Sequence, residues 1–139
     1  MSKWDERYLD LAKMVSGWSK DPSTKCGAVI VRPDNRIVSL GYNGFPPGVA
    51  DDWRLEDRSY KYEMIIHCEV NALVSAKQSV EGCILYTYPF ISCSRCAAIM
   101  IQAGIYCNVA PVCTDPRWIE NLALSRSLYL EAGVEVVEL

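Results

Sequence analysis

The chain has 139 residues, 50% of them hydrophobic, a length and composition that favour one domain, spanning residues 1–139, with a sizeable core. Its formal net charge of −3 and isoelectric point of about 5.1 count against a nucleic acid polymer as partner, because such partners usually require a basic surface. A small anionic ligand stays open, since one phosphate needs only a few local donors.

No apolar run approaches the ~20 residues that span a bilayer, so we expect no membrane partner. Seven cysteines would indicate disulfides in a secreted protein, but their number is odd and no signal peptide precedes residues 4–7. We therefore expect a reduced, soluble, cytoplasmic protein.

The first half of the chain predicts a helix, a hairpin and a loop. Between Lys3 and Ser19, apolar residues recur at three- and four-residue spacing, which is typical of an amphipathic helix. The β-rich segments 26–31 and 37–42 flank a turn-rich connection and predict a hairpin. Residues 43–62 show no clean period, which indicates a long loop, and long loops in compact domains are often functional.

The second half alternates helix and strand. Helices are predicted at 67–76, 93–103 and 116–132, and strands at 83–88, 105–110 and 134–137. Successive β–α–β units imply right-handed crossovers and helices on both faces of a sheet. The predicted fold is therefore α/β, a three-layer α/β/α sandwich around a mixed five-stranded sheet.

Two short segments carry the candidate chemistry, His67-Cys68-Glu69 and Cys93-Ser94-Arg95-Cys96. His67, Cys93 and Cys96 offer three zinc ligands, the number that a catalytic site uses when its fourth position is left to water or substrate. Zinc would lower the pKa of that water to about 7, and Glu69 could carry the protons that hydrolysis requires. A His-x-Glu followed by Cys-x-x-Cys is the signature of zinc nucleobase deaminases.

Both segments lie at predicted helix starts, where free N–H groups and the helix dipole favour thiolates. Cys93 and Cys96 are three residues apart and share one face of a first turn. His67 and Glu69 would point about 200° apart on an ideal helix, so we expect the site beyond the helix end.

Two other interpretations of these ligands are open. A structural zinc knot would need a fourth ligand such as Cys68, but neighbours on a helix point about 100° apart, so His67 and Cys68 cannot easily address one metal. Cys93 and Cys96 alone could also form a redox pair. The upstream His67-x-Glu69 favours a catalytic metal.

These residues resemble the cytidine and deoxycytidylate deaminase superfamily, and more closely its deoxycytidylate (dCMP) deaminases. The resemblance covers most of the chain. Its pieces are Ser19-Lys20-Asp21-Pro22, Gly41-Tyr42-Asn43-Gly44-Phe45-Pro46, His67-Cys68-Glu69-Val70-Asn71-Ala72, and Cys93-x-x-Cys96 leading into Ile101-Gln102-Ala103-Gly104-Ile105.

The resemblance implies hydrolytic deamination of dCMP to dUMP, which would feed dTMP synthesis, with zinc on His67, Cys93 and Cys96. It implies that Glu69 deprotonates the zinc water, protonates ring N3 and helps to expel ammonia from C4. Asn43 matches the asparagine that contacts the sugar, although Asn43-Gly44 is also an ordinary turn pair. Asn71 matches the asparagine after the catalytic carboxylate, and it could equally brace its helix.

The chain departs from the family at two candidate substrate-binding positions. Cys68 stands where alanine is usual, at a position whose backbone N–H is expected to contact the base carbonyl. Ser92 stands where proline usually precedes the first metal cysteine, and we expect Ser92 to cap the following helix by accepting an N–H bond.

The resemblance also implies a homohexamer that dCTP activates and dTTP inhibits at a second nucleotide site. Tyr42, Gly44 and Phe45 are candidates for that site, with Trp53 nearby, although such an aromatic patch could equally be a subunit contact. No phosphate-binding residue can be chosen from the sequence, because seven cations are available. They are Lys20, Lys25, Arg54, Arg58, Lys61, Arg95 and Arg117.

Three alternative functions stay open. A deaminase of tRNA adenosine shares the zinc motif, but the acidic isoelectric point counts against it. A deaminase of another cytosine nucleoside or nucleotide, or of a related base, would differ in its need for a 5′-phosphate. A structural zinc-binding module without catalysis would not depend on Glu69.

Overall fold

A computed structural model describes all 139 residues, and the chain forms five α-helices and five strands. The helices are α1 (Lys3–Ser16), α2 (Arg58–Met64), α3 (Cys68–Ala76), α4 (Ser94–Ala103) and α5 (Ile119–Ala132). The strands are β1 (Gly27–Val31), β2 (Ile37–Tyr42), β3 (Ile84–Tyr88), β4 (Cys107–Ala110) and β5 (Glu135–Glu138). Two 3₁₀ turns cover Trp53–Leu55 and Pro116–Trp118. No helix has the length and apolar character needed to cross a membrane.

The strands form one mixed sheet in the order β2-β1-β3-β4-β5. The hairpin strand β1 runs antiparallel to both β2 and β3, whereas β3, β4 and β5 are parallel. The connections through α4 and α5 are the two β–α–β units that alternation of helix and strand predicts. The predicted mixed five-stranded sheet is thus confirmed.

Alternation along the central strands divides the core into two layers. Val29 and Val31 of β1 face α1, where they pack with Tyr8 and Ala12. The neighbouring residues of β1 face the opposite way and pack against α3 and α4 in a cluster that includes Ala28, Ile30, Cys68, Ala72, Leu85 and Met100. On that second side α5 buries Leu122 against the end of β4. The α/β/α sandwich is therefore confirmed.

The close packing of α3 on the hairpin depends on a glycine. A Cβ added to Gly41 of β2 would lie 2.5 Å from the Ala72 nitrogen and 2.5 Å from the Cys68 carbonyl oxygen. Any larger residue would therefore push the backbone of α3 away from the sheet. Because α3 begins directly after His67, this contact also fixes where that residue lies.

The prediction of an unbroken loop over residues 43–62 was wrong, because α2 and the first 3₁₀ turn lie in or begin in this segment. Helix α2 has no buried residue, so it lacks the apolar stripe by which a helix is recognised in a sequence. Its start is marked by Asp57, whose carboxylate accepts hydrogen bonds from the backbone of Ser59 and Tyr60. Helix α1 also ends earlier than predicted, at Ser16.

Candidate active site

The predicted metal ligands come together at the N-termini of α3 and α4. His67 is the residue that precedes α3, and Cys93 is the residue that precedes α4. Both have extended backbones, with φ and ψ of −71° and 156° at His67 and −62° and 167° at Cys93. Both residues therefore lie outside the helices, and the group that they form lies beyond the helix N-termini. This is the position that the sequence predicts for the site.

The ligand atoms of His67, Cys93 and Cys96 lie within 4.8 Å of one another. His67 Nδ1 is 3.5 Å from Cys93 Sγ and 3.2 Å from Cys96 Sγ. A nitrogen and a sulfur on one tetrahedral zinc are about 3.5 Å apart, given Zn–N and Zn–S bonds of about 2.0 and 2.3 Å. The donor set and its spacing therefore fit zinc.

No fourth histidine, cysteine or carboxylate joins this group. Cys68 is 2% exposed and packs into the core beneath α3, so it does not complete a four-ligand knot. A zinc ion held by three ligands keeps a position for water or substrate, which is the arrangement of catalytic sites.

The three ligands also shape each other's protonation. The hydrogen bond from the Cys96 thiol, with a second one from His67, lowers the pKa of Cys93 to about 4. The same contact raises the pKa of Cys96, because Cys96 holds the shared proton. The Cys93 partner in turn raises the pKa of His67. The lowered pKa of Cys93 favours its thiolate, the form in which cysteine binds metals.

Glu69 lies in the first turn of α3 and is 5% exposed. Its Oε2 accepts a hydrogen bond of 2.9 Å from the Ser92 hydroxyl. Its Oε1 accepts a long bond of 3.4 Å from the Cys68 thiol. A buried carboxylate so close to a three-ligand metal group has the position that a proton carrier for hydrolysis needs.

The expectation that Ser92 caps α4 was wrong. The helix begins at Ser94, so the capping position belongs to Cys93, whose side chain makes no capping bond. Asn121 of α5 takes this role instead, because its Oδ1 accepts the Ser94 N–H at 3.0 Å. The Ser92 hydroxyl is thereby free to donate to Glu69.

A cavity of about 530 Å³ opens over these groups, a volume within the usual range for small-ligand sites. His67, Glu69 and Cys93 line it, together with the predicted substrate contacts Asn43 and Cys68. The other two predicted substrate contacts, Asn71 and Ser92, are not among its lining residues. Asn71 donates from Nδ2 to the Tyr42 carbonyl at 2.6 Å, so it braces α3 against β2.

The Asn43 side chain holds the segment that precedes β1. Its Oδ1 accepts the Cys26 N–H at 2.8 Å, and its Nδ2 donates to the Thr24 carbonyl at 2.9 Å and to Asp21 at 3.3 Å. Asn43 does not have a positive φ, so it is not the turn residue that Asn-Gly often forms. Its contact with a sugar stays a prediction.

The aromatic candidates for an effector site lie outside the cavity. Tyr42 is 41% exposed and packs edge-on against Trp18 at a ring distance of 6.1 Å. Gly44 forms an isolated bridge with Ile66, the residue directly before His67. The segment that carries the candidate effector residues is therefore hydrogen-bonded to the segment that carries a metal ligand.

The cavity contains features that the sequence did not disclose. Helix α2 contributes Arg58, Lys61 and Tyr62, and the first turn of α4 contributes Arg95. Behind Glu69 lies a buried set of polar side chains formed by Ser92, Asn108, Thr87 and Tyr129. Polar residues in predicted strands give no signal of this kind, because only the fold shows which of them meet.

Comparisons with known proteins agree with this site. The family model described as "Cytidine and deoxycytidylate deaminase zinc-binding region" matches residues 2–110. An uncharacterized deaminase from the luxG 3′ region of Aliivibrio fischeri is 44% identical over 139 residues, which cover 98% of this chain and 93% of that protein. The deoxycytidylate deaminase of Mus musculus is 40% identical over 110 residues, 74% of this chain.

The chain spans 61% of the length of the mouse enzyme it matches. Among solved structures, it is similar to the dCMP deaminase of the cyanophage S-TIM5 in complex with dCMP and dUMP. The TM-score is 0.81 and the identity 28%, with 100% of this chain and 99% of the phage chain covered. The apo form of the phage enzyme gives a TM-score of 0.80 at 25% identity with full coverage of both chains.

Proposed function

The chain belongs to the cytidine and deoxycytidylate deaminase family of zinc-binding hydrolases, and within this family we propose that it converts dCMP and water to dUMP and ammonia. One observation carries the proposal: two of the three clustered metal ligands, His67 and Cys93, and the buried Glu69 line one cavity of suitable size. The likeness to a phage enzyme solved with dCMP and dUMP supports the choice of base and sugar. In this proposal residues 1–139 act as one deaminase domain.

We assign the metal to His67, Cys93 and Cys96. These residues would hold a zinc ion, which would lower the pKa of a water molecule in the cavity and so make a nucleophile available near neutral pH. Glu69 accepts a proton from the attacking water and donates it to ring N3. It then takes the remaining proton from the hydroxyl newly attached to C4, which becomes the carbonyl, and passes it to the departing amine. The C4–O bond forms, the C4–N4 bond breaks, and ammonia leaves.

The first turn of α3 offers backbone N–H donors for the C2 carbonyl of the cytosine base. The first backbone bond of this helix runs from the Asn71 N–H to the His67 carbonyl, so the N–H groups of residues 68 to 70 have no partner within the helix. Cys68 lines the cavity, and its N–H is a donor that the carbonyl at C2 of cytosine could use. Asn43 also lines the cavity and is proposed as the sugar contact.

Arg58 and Arg95 are the proposed ligands of the 5′-phosphate. Both line the cavity, both are exposed, and neither forms an ion pair with a carboxylate. The guanidinium of Arg58 lies 5.9 Å from the ring centroid of Tyr62, a contact that orients it without neutralising it. Guanidinium groups match the bidentate geometry of phosphate.

The other two cations of the cavity are already paired. Lys61 donates to Asp21 at 3.1 Å, and both side chains are largely buried. Arg117 is held by Asp115 at 2.7 Å. The unpaired charge therefore lies on Arg58 and Arg95, and we expect discrimination between dCMP and cytidine to depend on them.

The first test is ammonia release from dCMP, cytidine and dCTP by the zinc-loaded protein. We expect turnover of dCMP, and its loss in Glu69→Gln with the zinc content unchanged. Turnover of cytidine at an equal kcat/KM would redirect the assignment to another cytosine nucleoside. Full dCMP turnover by Glu69→Gln would refute Glu69 as the proton carrier, and no turnover of any of the three substrates by the zinc-loaded protein would favour a structural zinc module.

The phosphate assignment has its own test. Replacing Arg58 and Arg95 together by glutamine should raise KM for dCMP at least tenfold, since charged hydrogen bonds are worth about 1.5–3 kcal/mol each. KM for any residual cytidine turnover should not change. Arg32→Gln, an exposed arginine outside the cavity, is the matched control. An unchanged KM in the double variant would move the phosphate elsewhere.

We further propose homohexameric assembly, activation by dCTP and inhibition by dTTP, with the product feeding dTMP synthesis. The bridge between Gly44 and Ile66 supports a route from Tyr42, Gly44 and Phe45 to His67, because it joins the two segments by backbone hydrogen bonds of 3.1 and 2.8 Å. The test is whether dTTP shifts the dCMP saturation curve. A curve that neither nucleotide moves would refute the regulation.

A further inference from the structure

Glu69 is held unevenly, with one strong partner and one weak partner. Its Oε2 accepts from the Ser92 hydroxyl at 2.9 Å, whereas its Oε1 has only the Cys68 thiol at 3.4 Å. Hydroxyl donors form much stronger bonds to carboxylates than thiols do. The two oxygens of one carboxylate are therefore not equivalent in this site.

Ser92 is fixed from behind by a buried asparagine. Asn108 of β4 is 0% exposed, and its Oδ1 accepts the Ser92 N–H at 3.0 Å and the Tyr129 hydroxyl at 3.2 Å. Its Nδ2 donates to the Thr87 hydroxyl at 3.0 Å and to the Leu85 carbonyl at 3.2 Å. The Asn108 side chain thus uses both N–H donors of Nδ2 and both lone pairs of Oδ1. Exchanging Oδ1 and Nδ2 would place the amide donors against the Ser92 N–H and the Tyr129 hydroxyl, which are donors themselves.

This set of side chains joins β3, β4 and α5 to the loop before Cys93. Ser92 is 1% exposed and Tyr129 is fully buried, so no bulk water competes with these hydrogen bonds. Burial raises the pKa of Tyr129, which keeps its phenol a donor. Buried polar groups are costly unless every member is satisfied, and here every buried side-chain polar atom has a partner.

From these contacts we propose that Ser92 is a positioning residue of the reaction: its hydroxyl fixes Glu69 by Oε2 and leaves Oε1 to exchange protons with water and substrate. Asn108 and Tyr129 set the backbone from which Ser92 donates. The inference rests on the proposed deamination for its kinetic consequence, but not for its structural one. It also reassigns Ser92 from substrate binding to a contact with the catalytic carboxylate.

The kinetic test uses Ser92→Ala, Ser92→Thr and Ser39→Ala in the zinc-loaded protein. We expect Ser92→Ala to lower kcat about 10- to 100-fold, the effect of misplacing a reacting group, with KM and zinc content unchanged. Ser92→Thr retains the hydroxyl and should recover most of kcat. Ser39 is a buried serine whose hydroxyl donates to the Ala72 carbonyl of α3 at 2.7 Å, so Ser39→Ala loses a comparable bond without touching Glu69 and should retain kcat.

Two kinetic results for Ser92→Ala alone would overturn the inference, and a third comes from its comparison with Ser39→Ala. One is a kcat of Ser92→Ala within twofold of the unmodified protein. The other is a raised KM with unchanged kcat, which would return Ser92 to substrate binding. A kcat loss equal to that of Ser39→Ala would also contradict it, since loss of any buried hydroxyl would then suffice.

A structural test is independent of activity. In crystal structures of the zinc-loaded protein and of Ser92→Ala, the Glu69 carboxylate should rotate or occupy several conformers only in the variant. An identical Glu69 carboxylate in both would refute the positioning role even if the protein did not deaminate dCMP. Absence of dCMP turnover with the expected rotation would refute the proposed substrate and retain the role of Ser92.

Discussion

In the sequence, Cys68 lies between the metal ligand His67 and the proposed proton carrier Glu69. Its side chain contributes to packing and does not take part in the proposed reaction. The thiol is buried with Ala72 and Leu85, and burial raises its pKa well above the ordinary value for cysteine. It therefore stays protonated and acts as a small core residue with one weak donor. Its backbone N–H, not its side chain, is the group that faces a substrate in the proposal.

Cys68→Ala should therefore be mild. We expect zinc content of one ion per chain, kcat within about threefold of the unmodified protein, and a loss of about 1 kcal/mol in the free energy of unfolding from the deleted sulfur. Metal analysis, dCMP kinetics and urea unfolding measure the three quantities. Cys93→Ser is the contrasting variant, because it removes a ligand and should lose the zinc. Zinc loss in Cys68→Ala would instead make Cys68 a fourth ligand.

Cys107 gives a pH-dependent prediction away from the metal. Burial, assisted by the negative charges of Glu135 and Asp5, raises the pKa of its thiol to about 12. The folded protein then binds more protons than the unfolded chain above pH 9, so stability is complete below pH 9 and falls as the pH rises toward 12.

Cys107→Ala should flatten this alkaline decline in the free energy of unfolding, by at most about 1.4 kcal/mol per pH unit, the limiting slope for one proton. Urea unfolding at pH 8, 9, 10 and 11 measures it. Cys113→Ala, which removes a half-buried thiol, serves as the comparison. Equal slopes in both variants would mean that Cys107 ionises freely in the folded protein.

At the scale of elements, the hairpin and α3 form a unit whose spacing a single glycine sets. Gly41→Ala should lower the free energy of unfolding by about 1–3 kcal/mol, because the new Cβ would overlap the backbone of Ala72 and Cys68. Gly44→Ala is the matched control, since a Cβ there meets nothing within 4 Å. Chemical denaturation of both variants measures the difference. Equal stability would show that α3 shifts without cost.

Elements with an apolar pattern could be predicted from the sequence, and α2 could not. The spacing of Val70, Leu73 and Val74 predicts helix α3, although the helix buries Cys68, Ala72 and Ala76 and leaves Val74 62% exposed. Helix α2 has no fully buried residue, and an ion pair from the partly buried Lys61 to the buried Asp21 joins it to the rest of the chain. That pair links residues 40 positions apart, and no local pattern indicates it.

The candidate site also has a part that the sequence predicts and a part that only the fold reveals. The metal ligands and Glu69 lie in two short segments of distinctive spacing, so their residue types alone predict a shared chemistry. The partners of Glu69 come from the loop before α4, from β4 and from α5, where single polar residues are unremarkable until the fold brings them together. The sequence predicts that Ser92 caps the helix that follows it, because a capping partner lies within a few residues along the chain. Its contact with Glu69, 23 residues away, becomes visible only in the fold.

For the molecule as a whole, the proposed zinc would act as a crosslink. His67 directly precedes α3, Cys93 directly precedes α4 and Cys96 lies in its first turn, and the intervening residues include β3. A metal that binds the folded cluster and not the separated ligands stabilises the folded state by mass action, by about 2.7 kcal/mol at a concentration 100 times Kd. Metal removal should therefore lower thermal stability.

Adding zinc to the metal-free protein should raise Tm by on the order of 10 °C, the size expected from that stabilisation in a chain of this length. Differential scanning calorimetry with zinc and with a chelator measures the change. Cys93→Ser should show a rise of less than about 2 °C, since its ligand set is incomplete, whereas Glu69→Gln should respond fully because Glu69 is not a ligand. Equal Tm shifts in Cys93→Ser and the unmodified protein would mean that zinc binds elsewhere on the fold. The assignment of zinc to His67, Cys93 and Cys96 would then be refuted.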